Sequence, residues 1–179
     1  MTRYRLSELL LAIALILLGV VFRFLPHPAN VAPIAAVALF SGAMLRARIA
    51  WIVPLAAMAA SDAVIGFHSL ILFTWGCFVL TIFIGRWVRR KTNILTVIGG
   101  SLVGSVLFYL VTNAAVWAFT PLYDKTLSGL MLSYTMALPF FRNTILGDLF
   151  YSGALFGLYA FAILAVRTGK IKSSLTHQA

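Results

Sequence analysis

Six apolar runs separated by short polar breaks divide the chain. The first helix is expected from about Glu8 to Leu25 and stops at Pro26-His27-Pro28, where two prolines remove backbone donors. The second, from about Val31 to Leu45, is short for a full membrane crossing and ends at Arg46-Ala47-Arg48. A third covers Ile49 to Phe67, with Pro54 inside it and Asp62 near its far end. The fourth runs from Ser69 to Gly85 with Cys77 at its middle, and a basic stretch containing Arg86, Arg89, Arg90 and Lys91 follows. A fifth covers about Ile94 to Phe119. Thr120 to Arg142 is read as a longer connection whose apolar part fits a short helix lying on the bundle, and a sixth helix from Asn143 to Val166 precedes a basic tail.

Length and composition decide what these runs are. Of 179 residues, 62% are hydrophobic and 10% charged, against roughly 45–50% and 25% in soluble domains. A hydrocarbon core of about 30 Å needs about 20 apolar residues per helical span, so six spans and their loops use nearly the whole chain. The expectation is a single all-α transmembrane domain over residues 1–179 with six spans. The first apolar run, Leu9 to Leu25, lacks a small-residue cleavage site and is read as a retained helix.

A net charge of +10 raises the question of nucleic acid, but the basic residues sit in clusters between apolar runs and not along one polar face. Arg3, Arg5, Arg46, Arg48, Arg86, Arg89, Arg90, Lys91, Arg167, Lys170 and Lys172 fall on one side of the six-span pattern, eleven of the 14 Lys and Arg. Arg23, Lys125 and Arg142 fall on the other. Such asymmetry marks the cytoplasmic face. Both termini are therefore expected in the cytoplasm, and the partner is a lipid bilayer, not nucleic acid. Thr168-Gly169-Lys170-Ile171 lacks the upstream glycine and the hydroxyl of a phosphate-binding loop, which excludes ATP hydrolysis by that route.

The remaining polar residues, His27, Asn30, Asp62, His68, Asn113, Asp124, Lys125, Arg142, Asn143 and Asp148, all fall at or near the extracytoplasmic end. Ionisable groups in membrane segments are costly unless paired or facing water, and they commonly mark function. The set reads as an outward pocket for a polar ligand. The plainer reading makes them loop residues and caps, with Asn143 as an N-cap and Asp148 paired with Arg142. Small residues such as Ala35, Ala38, Gly42, Gly100 and Gly104 are read as close helix packing. Cys77 is the one cysteine, so no intramolecular disulfide or multi-cysteine metal site forms. A buried cysteine is ordinarily a small hydrophobe. Behind Thr74-Trp75-Gly76 and beneath polar residues, its thiolate is also a soft donor for a metal that arrives already chelated, such as the cobalt of a corrinoid.

Arg23-Phe24-Leu25-Pro26-His27-Pro28-Ala29-Asn30, Pro33-Ile34-Ala35-Ala36 and Leu39-Phe40-Ser41-Gly42-Ala43 resemble the opening of the substrate-binding S-components of energy-coupling-factor (ECF) vitamin transporters. Pro54-Leu55-Ala56-Ala57-Met58, Ser61-Asp62, Gly66-Phe67-His68, Pro139-Phe140-Phe141-Arg142-Asn143-Thr144 and Gly147-Asp148-Leu149 continue the likeness over most of the chain. Within that group, Trp75-Gly76-Cys77 looks like the BtuM-type solitary cobalamin transporters. The resemblance implies a six-helix S-component-like bundle in the bacterial cytoplasmic (inner) membrane that captures cobalamin. No resident cofactor is implied. Cys77 would ligate the substrate's cobalt and could displace its upper ligand, which is decyanation of cyanocobalamin. His27, Asp62, His68, Arg142 and Asn143 become candidate substrate-binding residues. S-components dock their coupling module through a small-xxx-small motif on helix 1; here neither Ala12 nor Ala14 has a small partner four residues on, which leaves open whether an ECF coupling module is a partner. The rival readings are an S-component for another vitamin or metabolite, with Cys77 only packing, and a membrane thiol enzyme or metal-handling protein.

Overall fold

The structure is a computed structural model that describes residues 2–176. The side chains of residues 2–5, 167 and 169–176 lie outside the description, so the expectations placed on Arg3, Arg5, Arg167, Lys170 and Lys172 fall on side chains not described. Among the described residues the fold is all-helical: α1 Thr2–Phe24, α2 Ile34–Met44, α3 Ala47–Ile65, α4 Ile71–Val88, α5 Ile94–Phe119 and α6 Leu127–Thr176. A 3₁₀ turn at Arg89–Lys91 links α4 to α5. Five helices are long and apolar enough to cross a membrane; α2, with 11 residues, is not. At 1.5 Å per residue it rises only about 16 Å.

That short helix is the centre of the bundle. Nine of its residues are buried, and it packs against α3, α4 and α6. Phe40 meets the rings of Phe156 and Tyr159 edge-on, at centroid distances of 5.1 and 5.5 Å. Its small residues are what permit this. A Cβ on Gly42 would collide with the Ile82 carbonyl, and one on Gly85 with the Leu39 carbonyl, so α2 and α4 touch backbone to backbone there. Gly100 is also closely packed, against Val88 and Leu39, whereas Gly99 faces open space.

The two ends of the bundle differ. At the basic end, Glu8 pairs with Arg46 at 3.1 Å and accepts from the Arg46 backbone N–H, while Arg89 donates to the Leu45 carbonyl. The other end is framed by two connections that turn on left-handed residues, Asn30 (φ 64°) and Gly66 (φ 111°).

One expected boundary is wrong. The stretch after the α5–α6 turn is not a separate helix on the bundle, and no new helix begins at Asn143. α6 runs unbroken from Leu127 through Pro139. Pro139 forfeits one ladder bond, a loss a membrane helix tolerates when neighbours support it. The support is visible. Ser133 and Tyr134 donate to the Asn113 and Leu110 carbonyls of α5, and Tyr109 donates back to the Tyr134 carbonyl. Asn143 therefore sits mid-helix and cannot be an N-cap.

Candidate functional site

A cleft of about 290 Å³ opens at the end framed by Asn30 and Gly66. The loop after α1 supplies His27 and Asn30, and the loop before α4 supplies His68. From the helices come Arg23, Thr74, Phe78, Phe108, Thr144 and Asp148. A second lobe of about 290 Å³ shares Asn30, His68, Thr74, Phe108 and Thr144, and extends to Asn113, Tyr109 and Phe141. The apolar walls are ordered by stacking, Phe78 on Phe108 at 5.7 Å and Tyr109 on Phe141 at 4.4 Å. The result is an apolar-walled cavity with a few convergent polar groups, the usual composition of a small-ligand site.

The charge in the cleft is Arg23, held from behind. Its Nη1 lies 2.6 Å from Asp62 Oδ1 and donates to Ser61 Oγ at 2.6 Å. Asp62 is fully buried and also accepts from Trp75 Nε1 at 2.8 Å. A buried carboxylate needs such partners. Asp62 is thus not a wall residue: it positions Arg23. In the sequence Arg23 stands only as one of three basic residues on the outer side; the signal that points to it is an arginine at the far end of an apolar helix, facing the single aspartate of α3.

The other expected site residues divide. His27 and His68 line the cleft, and His27 Nδ1 lies 2.7 Å from the Leu25 carbonyl. Asn143 does not line it; its Nδ2 donates to the Ala29 carbonyl at 3.2 Å and ties α6 to the loop that carries Asn30. Arg142 is exposed and lines neither lobe. Asp148 does not pair with Arg142; its Oδ2 lies 2.7 Å from Ser105 Oγ. Lys125 caps the end of α5 by donating to the Trp117 and Thr120 carbonyls, and the Asp124 carbonyl accepts from Trp117 Nε1.

Cys77 is 1% exposed and is not on the cleft wall, although Thr74 and Phe78 beside it on α4 are. Its carbonyl accepts from Thr81 Oγ1. Among the described residues, no group of three or more His, Cys, Asp or Glu could hold a metal ion.

Near the opposite end, a larger and almost wholly apolar groove of about 770 Å³ opens between α5 and α6. It runs from Thr92 and Asn93 to the buried Ser101 and Ser152.

The family DUF6580, described as a family of unknown function, matches residues 4–171, so the chain belongs to that family. Comparison with curated proteins and with solved structures gives no match.

Proposed function

We propose that this member of DUF6580 is a multi-pass membrane protein that captures a polar solute at the outer face and moves it inward, with cobalamin, held through Cys77, as the substrate. The observation that carries the uptake reading is the cleft: Arg23, His27, Asn30 and His68 converge at one end of an apolar helical bundle, with Asp148 deeper in the same cleft. In this reading the bundle sits in a bacterial cytoplasmic membrane and the chain crosses it six times. The loop of residues 25–33, which turns at Asn30, would complete the crossing that α2 is too short to make alone. Both termini lie inside, on the side of the Arg46 and Arg89 cluster. The cobalamin assignment draws on the S-component resemblance and on the place of Cys77 in α4, buried between Thr74 and Phe78 in sequence, both of which line the cleft. Capture would then require the cleft to widen, because a corrinoid exceeds either lobe.

A smaller polar solute is the second reading, favoured by the volume of the lobes and the burial of Cys77. An absorption spectrum of the purified protein incubated with cyanocobalamin separates the two. Thiolate ligation replaces an axial ligand of octahedral cobalt, so the corrin bands shift and cyanide is released, and Cys77→Ser, a harder donor, loses both effects. Binding with an unshifted spectrum removes Cys77 from the site. Absence of binding leaves the smaller solute.

A further inference from the structure

Asp148 is a carboxyl group buried in the middle of the bundle, 4% exposed, beside Ser105 near the midpoint of α5. Among the described residues it has no cationic partner. Arg23, the nearest candidate by its place in the cleft, is committed to Asp62. The helices packed against α6 offer nothing else: α2 carries no titratable residue and α5 only Tyr109. From α4 come Cys77 and Arg86, and His27 and His68 stand in the loops at the mouth of the cleft.

Two short contacts at Ser105 bear on the protonation of Asp148. Ser105 Oγ lies 3.0 Å from the Ser101 carbonyl and 2.7 Å from Asp148 Oδ2. A serine hydroxyl has one hydrogen. If it goes to the Ser101 carbonyl, which can only accept, the short contact to Asp148 is a hydrogen bond only when the carboxyl carries a proton. Both contacts are satisfied at once by the neutral acid and not by the carboxylate.

Asp148 also stands between the two openings. It lines the outer cleft, and with Thr81, Ser101 and Ser152 it lines a narrow seam behind the cleft, too tight to hold a water molecule. Ser101 and Ser152, whose hydroxyls are 3.5 Å apart, are the deep end of the groove on the other side. We infer that Asp148 is a proton-binding site, set between the outer cleft and the inner groove, whose protonation is linked to occupancy of the cleft. On release, the O–H bond of the acid breaks, the proton passes to water in the cleft, and the carboxylate remains. The Ser105 hydroxyl then rotates from the Ser101 carbonyl to donate to it. The linkage to a bound solute rests on the uptake reading above; the proton site does not. Linkage is reciprocal, so a solute that favours one protonation state takes up or releases protons as it binds.

Two measurements on the full-length protein test this. Infrared spectroscopy of the wild type at neutral pH is expected to show a carboxylic-acid carbonyl band that shifts in deuterium oxide and is missing in Asp148→Asn. In Ser105→Ala, where the acid loses its partner but keeps its proton, the band persists at a displaced frequency. Absence of the band in the wild type, or its survival in Asp148→Asn, overturns the proton site. Calorimetric titration with cyanocobalamin in buffers of different ionisation enthalpy then counts protons, with a non-zero count expected in the wild type and zero in Asp148→Asn. Equal counts in the two proteins overturn the linkage. Binding that depends on sodium and not on pH overturns the proton in favour of a cation. If cyanocobalamin does not bind, the cobalamin reading fails and the infrared result alone decides the proton site.

Discussion

The pair formed by Arg23 and Asp62 shows how one charge is held inside an apolar bundle. Asp62 has no solvent, so its two oxygens depend on Arg23 and on Trp75. Removing one partner of a buried pair typically costs about 3–5 kcal/mol, because the other is left charged and unpaired. Arg23→Ala is therefore expected to lower the thermal unfolding midpoint in detergent markedly, and Arg23→Met combined with Asp62→Leu to recover most of the loss. If the single variant unfolds where the wild type does, the ion pair is not what holds this end together. Arg142→Ala makes the contrast. The residue is exposed and away from both lobes, so stability should change by about 0.5 kcal/mol or less and solute binding should not change. Binding that weakens with Arg142→Ala would put the site elsewhere. Asp62 was conspicuous in the sequence as a charge within an apolar run; that its partner is Arg23 was not, since only the packing of α1 on α3 brings residues 39 positions apart together.

At the scale of elements, the close approach of α2 and α4 is the feature most sensitive to a single methyl. Adding one at Gly85 drives it into the Leu39 carbonyl, a backbone atom that cannot swing away. Overpacking of this kind costs about 1–3 kcal/mol, so Gly85→Ala should unfold at lower temperature than the wild type, while Gly99→Ala, which faces open space, should not. Equal loss at the two sites would mean that helix propensity and not contact sets the effect. The abundance of small residues announced tight packing, but not which glycines meet a neighbour. The same limit explains α6. Proline, a polar stretch and an apparent N-cap suggested a boundary near residue 142, whereas the bonds from Ser133 and Tyr134 to α5 carry the helix through.

Over the whole molecule, the proposed topology follows from the two chemically distinct ends. Single cysteines introduced at His68 and Asp124 in a Cys77→Ala background should react with an impermeant thiol reagent added outside intact cells. Cysteines at Arg48 and Arg89 should react only after the membrane is opened. Labelling of Asp124 and Arg89 from the same side would overturn six crossings. What the sequence by itself determined is the apolar helical character, the spacing of most helices and the segregation of charge, because hydrophobicity and Lys/Arg placement act locally along the chain. It also marked His27, Asn30 and His68 as polar groups at one end, and the structure brings these into one cleft with Asp148, which lies deeper than expected, beside Ser105 near the midpoint of α5. Only the tertiary structure decided that Arg23 and not Arg142 lines the cleft, that Asp62 holds Arg23 there, that Cys77 is buried and off the cleft lining and that Asp148 faces Ser105. Those relations depend on helix rotation and on side chains meeting across helices, which a linear pattern of polar and apolar residues does not encode.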